Sequence, residues 1–392
     1  MIDLSLSFPE LLLLLTSFIS LLVSIGYGLN AYRRAAVFRD IPVARPEEYH
    51  PKASVLIYCQ SEEEVLDATL EQISRQDYPD FEVIVVCDAA SEYSEMLNEK
   101  YGSMYSNVYV TFVQPGSHNL SRRKLAITIG AKAAKGEVLV TTVANIWISS
   151  EQWLSQLLAP FCGERGRHID VSLGYSRINF ANLHGIGKWY RQFDALLTDA
   201  LWIGYAADYK PYRGDGFNLA FRREVFFKHK GFAKTINLHY GDDDLFIHEI
   251  STPSNTSVVV SPESIIETQW DESGNRIWTI QKERYSFTSR WLPKAPFVRS
   301  SIQMLMQWLV PGSSIAAALI GLPNLLSVIL GGLIILCFWL VEIIFYRRLA
   351  QRFEAIRLWW AVWPFWLWRP LADLLFRYDH RYTRKKNFTW QR

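Results

Sequence analysis

Gln76-Asp77-Tyr78-Pro79-Asp80-Phe81-Glu82-Val83-Ile84-Val85-Val86-Cys87-Asp88 decides the fold class of the middle of this chain. Gln76-Asp77 and Pro79 end a pattern in which Val65, Leu66, Leu70 and Ile73 recur at helical spacing. Phe81 to Val86 then reads as a buried strand of a parallel sheet. Asp88 follows at its carboxyl end, where doubly wound sheets bind their ligands. Upstream, Ser54-Val55-Leu56-Ile57-Tyr58 is a first apolar strand, and Ser61 stands as an N-cap before Glu62, Glu63 and Glu64. Downstream, Val108 to Val113 predicts a third strand, and Lys124 opens a helix through Ala126, Ile129 and Ala133 that stops at Lys135-Gly136. Glu137 to Thr142 is the fourth strand, followed by Val143-Ala144-Asn145. Strands alternating with helices predict an α/β layer on a largely parallel sheet.

The flanks read differently. Leu11 to Tyr32 carries no charge and at 1.5 Å per residue reaches about 30 Å, the thickness of a bilayer core. Arg33, Arg34 and Arg39 follow it, so the positive-inside rule puts the next domain in the cytoplasm. Ser300 to Val341 is a second uncharged stretch, long enough for two spans, with Gly321-Leu322-Pro323-Asn324 as its turn and Arg347, Arg348 and Arg352 beyond it. Trp359, Trp360, Trp363, Trp366 and Trp368, interrupted by Pro364, suit the headgroup belt, and the basic tail from Arg377 to Arg392 suits anionic lipid. The expected layout is therefore an anchor over 1–32, an α/β domain over 50–295, a transmembrane hairpin over 300–346 and an interfacial segment over 347–392. A net charge of +2, with no basic stripe interleaved with aromatics, gives no reason to expect nucleic acid as a partner. The four cysteines have neither metal-ligand nor disulfide spacing and fit a reduced environment.

Within the middle region, Gly241-Asp242-Asp243-Asp244-Leu245-Phe246 sets three carboxylates among apolar residues. Like charges at contact raise one another's pKa, as a general base near neutral pH requires. The same triplet also suits the first turn of a helix, where Asp complements the dipole.

Taken together and in order, these segments resemble a family 2 glycosyltransferase, a family of inverting, nucleotide-sugar-dependent enzymes with the GT-A fold. The resemblance runs from Lys52 to Trp291. Val55 to Glu62 stands where the family has its first strand and an Asn-Glu pair, and Gln76 to Val86 is close to the family's phrase. Asp88 falls on the second Asp of the family's nucleotide-contacting turn, and Lys124 with Ala126 matches the Lys-x-Ala helix opening beneath the donor. Gly214-Asp215-Gly216-Phe217-Asn218-Leu219-Ala220 resembles the segment lining the sugar pocket. Gly241 to Leu245 matches Glu-Asp-x-x-Leu, with Asp242 on the base position. Gln281-Lys282-Glu283-Arg284-Tyr285 resembles Gln-x-x-Arg-Trp. The departure is at Asp-x-Asp, where Val143-Ala144-Asn145 offers one neutral carbonyl in place of two metal-binding carboxylates. Cys87, Ala89 and Tyr58 also replace the usual Asp, Gly and Pro.

What the resemblance implies is an α/β, GT-A (Rossmann-like, mostly parallel sheet) cytoplasmic domain with N- and C-terminal transmembrane helices in the inner membrane. It implies a nucleotide-sugar donor held by Ser61, Glu62, Asp88, Lys124, Asn145, Asp215 and Asn218. Gln281, Arg284, Tyr285 and Trp291 would face the acceptor or diphosphate, with Asp242 as base and Asp243 as the near alternative. Asn145 is the one weak metal candidate, so use of Mg²⁺ or Mn²⁺ stays open; Arg284, Arg290, Lys124 and Arg213 are cations able to stabilise the leaving group instead. His239, with no second His or Cys nearby, reads as structural. Two functions compete: an active transferase acting on a cell-envelope glycan or lipid-linked acceptor, and an inactive relative that scaffolds nucleotide, glycan or a partner enzyme at the membrane. A processive synthase would need more spans to line a pore.

Overall fold

A computed structural model describes residues 6–45, 47–60, 63–88, 91–114, 120–180, 184–268, 274–322 and 325–379. Ser61 and Glu62, both expected to hold the donor, and the tail beyond Asp379 lie outside the described residues. In chain order the elements are α1 (Phe8–Val23), α2 (Asn30–Val37), β1 (Ala53–Cys59), α3 (Glu63–Ser74), β2 (Phe81–Cys87), α4 (Ser91–Met104), β3 (Val108–Phe112), α5 (Arg122–Ala133) and β4 (Val138–Val143). There follow β5 (Ile146–Ile148), α6 (Trp153–Leu158), β6 (Val171–Leu173), β7 (Ser176–Ile178), α7 (Gly185–Ala206), β8 (Leu219–Arg222), α8 (Arg223–Lys228), α9 (Asp244–Ile250), β9 (Thr256–Val258) and β10 (Ile266–Thr268). The chain closes with α10 (Gly274–Thr288), α11 (Lys294–Ile320), α12 (Leu325–Arg352) and α13 (Val362–Asp379).

Two compact units emerge. The α/β unit takes Arg39–Lys188 and Ala206–Leu292. Its seven-stranded sheet runs β3-β2-β1-β4-β8-β6-β9. The first four strands pair in parallel, with Ala53 to Cys59 of β1 opposite Phe81 to Cys87 of β2 and Ala53 to Tyr58 opposite Val138 to Val143 of β4. β8 runs antiparallel between β4 and β6. All six residues of β4 are buried, as expected of a central strand covered on both faces. Two details differ from the sequence reading. The helix expected to open at Lys124 begins at Arg122, after Ser121 in extended conformation. The fourth strand runs on to Val143, whose side chain joins the hydrophobic core at 4 % exposure. A smaller sheet, β5-β10-β7, pairs β10 antiparallel to β5 and parallel to β7.

The helical unit takes Met1–Phe38, Trp189–Tyr205 and Pro293–Asp379. Among the described residues three helical stretches, Phe8–Gly28, Lys294–Ile320 and Leu325–Arg352, are long and apolar enough to cross a membrane. Their polarity is reversed relative to a water-soluble bundle. On α1 the exposed large apolar side chains are Phe8, Leu11, Leu12, Leu15, Phe18, Ile19 and Leu22, whereas Ser17 and Ser20, and Ser24 just beyond the helix, turn inward with Leu14 and Leu21. Inside, Ser17 Oγ donates to the Val310 carbonyl at 2.9 Å, and Gln303 and Gln307 Nε2 both donate to Glu342 Oε1, at 2.9 and 2.8 Å. Lipid rewards this arrangement, since polar groups there find partners only within the protein.

The tryptophan-rich segment, expected to be broken by proline, is helical. Pro364 is the third residue of α13, where its missing N–H costs nothing, and the helix carries Pro370 in its interior. Its inner face brings Arg369 Nε to 2.8 Å from Asp194 Oδ1, while Trp363, Trp368, Leu371, Leu374 and Leu375 remain exposed. That ion pair also explains why Trp189–Tyr205, expected inside a continuous 50–295 domain, groups with the helical unit. Phe193, Ala200 and Ile203 are fully buried there, and Asp194 finds its partner 175 residues away.

Candidate active site

The acidic triplet sits on the turn that leads into α9. Gly241 has φ +97°, a conformation that L side chains rarely adopt, and a Cβ there would strike Leu245. Asp242, Asp243 and Asp244 are all buried, at 5, 4 and 1 % exposure, and each is met by a different set of partners. Asp243 Oδ1 caps α9 by accepting from the Asp244 N–H at 2.8 Å, and its Oδ2 accepts from Arg284 Nη2 at 2.6 Å. Burial, the largest single effect, pushes the Asp243 carboxyl up, but the Arg284 guanidinium, the hydrogen bonds from Asp244 and the Arg123 charge together outweigh it and hold the group well below the usual carboxylate range. Burial and the neighbouring Asp243 charge instead push Asp244 up to about 8, against Arg213 Nε at 3.4 Å and the Thr288 hydroxyl, which donates to Asp244 Oδ2. Asp242 differs from both. Arg123 Nε faces its Oδ2 at 2.7 Å as an ion pair, and Arg284 lies 3.6 Å from Oδ1. Among the described residues no hydrogen bond is donated to Asp242 Oδ2, which meets Arg123 as an ion pair.

Gly216 makes room for this convergence. A Cβ there would lie 3.0 Å from Arg123 Nη2, 3.1 Å from Asp243 Cβ and 3.2 Å from Asp242 Oδ2. Its carbonyl accepts from Arg123 Nη2 at 2.7 Å. The Phe217 ring takes both guanidinium groups, with Arg123 4.8 Å and Arg284 5.4 Å from its centroid. Arg213 stacks on Tyr285 at 3.6 Å, so Tyr285 serves as an aromatic platform for a cation of the site itself.

The other expected donor residues divide into two groups. Asp88 lies at the carboxyl end of β2 and accepts from Tyr58 OH at 2.9 Å, Gln60 Nε2 at 3.1 Å and Arg122 Nε at 2.8 Å. Against its burial, the Arg122 hydrogen bonds lead those that hold it below the usual carboxylate range. Asp215 Oδ2 accepts from the Ser176 N–H at 2.7 Å and from the Ser176 hydroxyl, Oδ1 accepts from the Phe217 N–H at 3.0 Å, and burial raises its pKa. Asn218 and Lys124 are committed to the fold. Asn218 Oδ1 accepts from Trp153 Nε1 at 3.0 Å, and its Nδ2 donates to the Tyr175 and Ser264 carbonyls at 2.9 and 2.8 Å. Lys124 Nζ donates to the carbonyls of Thr235, Leu238 and Tyr240 at 2.6, 3.1 and 2.8 Å, lacing down the loop that delivers the triplet. Gln281 Nε2 donates to Tyr285 OH at 3.2 Å. Trp291, 42 % exposed, packs on Phe287 with ring centroids 5.3 Å apart.

A cavity of about 30 Å³ lies among Asp215, Phe217, Asp243, Gln281, Arg284 and Tyr285, with Ser176 and Thr268 on its other wall. That is room for a water or two rather than a sugar ring, so a donor enters only if side chains of α10 give way. At the Asp-x-Asp position the donor set is a single half-buried amide, Asn145, because Val143 points into the core. Among the described residues no group of three His, Cys, Asp or Glu side chains is arranged to hold a metal ion. The residues here do not fit a divalent cation held by protein carboxylates.

Arg122, Arg123, Ser176, Phe217, Thr268 and Thr288 were not picked out from sequence. Arg122-Arg123, directly before Lys124, were the one available signal, and nothing local told that the first would turn to Asp88 and the second to Asp242.

A mostly parallel α/β sheet with Asp88 at the carboxyl end of β2 and a carboxylate turn before α9 is the architecture of a GT-A fold. Residues 54–226 match the family model described as glycosyl transferase family 2, and that stretch is a glycosyltransferase domain of the family. Among solved structures, the chain is similar to a mannosyltransferase of Pyrobaculum calidifontis in complex with GDP-Man and Mn²⁺, at 18 % identity and TM-score 0.53, over 92 % of this chain and 99 % of that one. It is also similar to S. aureus TarS, at 19 % identity and TM-score 0.38, over 59 % of this chain and 39 % of that one. At 18 % identity the likeness to the mannosyltransferase speaks for the fold alone. A search of curated protein sequences gives no match.

Proposed function

We propose that the chain is a membrane-anchored inverting glycosyltransferase that moves a sugar from a nucleotide-sugar donor to a cell-envelope glycan or lipid-linked acceptor. The observation that carries this reading is Asp242, a buried carboxylate with one oxygen free of donated hydrogen bonds beside two guanidinium groups. Asp242 takes the proton of the acceptor hydroxyl as its oxygen attacks the anomeric carbon from the side opposite the leaving group. Asp243, already holding Arg284 and capping α9, is the positioning neighbour. Arg284 and Arg123 then face the charge that develops on the departing nucleoside diphosphate, the electrostatic work a metal ion does in metal-dependent relatives. Asp88, set by Tyr58, Gln60 and Arg122, meets the base. Arg33-Arg34 and Arg347-Arg348 flank the apolar helices, which supports an inner-membrane topology with the α/β unit in the cytoplasm.

The test is a panel of nucleotide sugars assayed for binding and for hydrolysis or transfer, with Mg²⁺, with Mn²⁺ and with EDTA. Turnover that needs Asp242 supports the reading. Tight nucleotide or glycan binding with no turnover under any condition hands the case to the scaffold reading, which the small cavity and the core-facing Val143 favour.

A further inference from the structure

The small sheet has a second face that the reaction does not use. The register sets Trp147 of β5 opposite Glu267 of β10, and Glu267 beside Arg177 of β7. Residues paired across strands share a face, so these three form one row. Their neighbours Ile146, Ile148, Ile266, Thr268, Ser176 and Ile178 take the other face and are buried. Trp147 is 46 % exposed although both its neighbours in the strand are buried. The Arg177 guanidinium is ion-paired with Glu267 Oε1, and Asn179 Nδ2 donates to Glu267 Oε2 at 3.3 Å, so both carboxylate oxygens are fixed. With strands about 4.8 Å apart, the row crosses about 10 Å, on the order of a disaccharide.

We propose that this row is a saccharide subsite. The indole takes the apolar C–H face of a pyranose ring, and Glu267, Arg177 and Asn179 take its hydroxyls. The chemistry argues against other ligands. One guanidinium, one carboxylate and one amide sum to no net charge, so the row offers little to a phosphate or an anionic headgroup. Sugar hydroxyls both donate and accept, which matches a carboxylate set beside cationic and amide donors. The groups are carried on strands and held by one another, so little side-chain freedom is lost on binding. The buried face of β7 and β10 supplies Ser176, Ile178 and Thr268 to the cavity wall, so a glycan held outside is one sheet thickness from the triplet. The subsite stands independently of the transfer reading, since it requires only that sugar binds.

The experiment uses the full-length protein in a detergent without a sugar headgroup. Maltohexaose, cellohexaose, laminarihexaose and chitohexaose are titrated separately by calorimetry, with saturation-transfer NMR to identify the contacted rings. At least one is expected to bind. Trp147→Ala should weaken that binding by about tenfold or more, while Trp147→Phe stays within about threefold. Glu267→Gln should weaken it by several-fold, and nucleoside diphosphate affinity should be unchanged in all three. Binding of the hexasaccharide by W147A and E267Q as by wild type overturns the proposal, as does the absence of binding of all four by wild type. Loss of nucleoside diphosphate binding along with sugar binding also overturns it, since the residues would then serve the fold rather than a sugar.

Discussion

Lys124→Met asks whether the acidic triplet is held in place by the helix beneath it. The Lys124 side chain has no exposed surface, and its ammonium is shared among three backbone carbonyls at 2.6, 2.8 and 3.1 Å. Methionine keeps most of the volume and removes every donor. Leaving buried carbonyls without a donor costs about 1–3 kcal/mol each, roughly 3–9 for the three. An opposing term comes from the buried charge. Burial lowers the Lys124 pKa from 10.5 to about 8, against the pull of Asp242, Asp243 and Asp244; that difference of about 2.5 pH units is on the order of 3 kcal/mol, which the variant recovers. The balance is a loss on the order of 3 kcal/mol, felt first in the loop from Thr235 to Tyr240, and a displacement of Asp242 large enough to cut turnover about 100-fold. The sign with pH is fixed by the same shift. Between about pH 8 and 10.5 the unfolded chain binds more protons at this position than the folded one, so the burial penalty fades as pH rises. The stability gap between wild type and K124M should therefore widen over that range. Thermal melting of the detergent-solubilised full chain across that window, with turnover measured in parallel, is the assay. A variant that melts and turns over like wild type throughout would refute the reasoning.

Asp242→Asn should lower turnover by about 100-fold or more with nucleotide binding retained; if Asp243→Asn is dead while Asp242→Asn is active, the base moves by one residue. Arg284→Ala should abolish turnover in an assay that EDTA leaves unchanged, whereas activity lost to EDTA and restored by micromolar Mn²⁺ contradicts cationic stabilisation of the leaving group. Asn145→Asp is expected to strengthen Mn²⁺ binding by calorimetry, while Val143→Asp should cost several kcal/mol in unfolding because its carboxylate enters the core. Asp244 has its pKa raised to about 8 from 3.8, so the folded chain holds the extra proton and this group's contribution to stability falls as pH rises between about 4 and 8. Asp244→Asn should flatten that part of the melting profile, and an unchanged slope would count against it.

Much of the domain could be read directly from the chain. Ser54 to Tyr58, Phe81 to Val86 and Glu137 to Thr142 are short apolar runs bounded by turn residues, and a run of that kind is a parallel strand because both its faces must be covered. Leu11 to Tyr32 and Ser300 to Val341 likewise announced three spans, since bilayer thickness translates directly into residue count. The carboxylate triplet and the Gln281 to Tyr285 motif were visible because each is contiguous.

Tertiary structure decided what each side chain does. Lys124 looked like a donor ligand until its three acceptors appeared more than 100 residues later in the chain. Asn218 looked like a pocket residue and turned out to be a buried joint between Trp153, Tyr175 and Ser264. Arg122 and Arg123 are adjacent in sequence but serve Asp88 and Asp242 respectively, and α7 contributes its middle to a unit its flanks do not join. Periodicity reports which face of an element is buried, because burial repeats with the helix or strand. A hydrogen bond or ion pair between residues far apart in the chain has no period, and only the folded chain brings its two halves together.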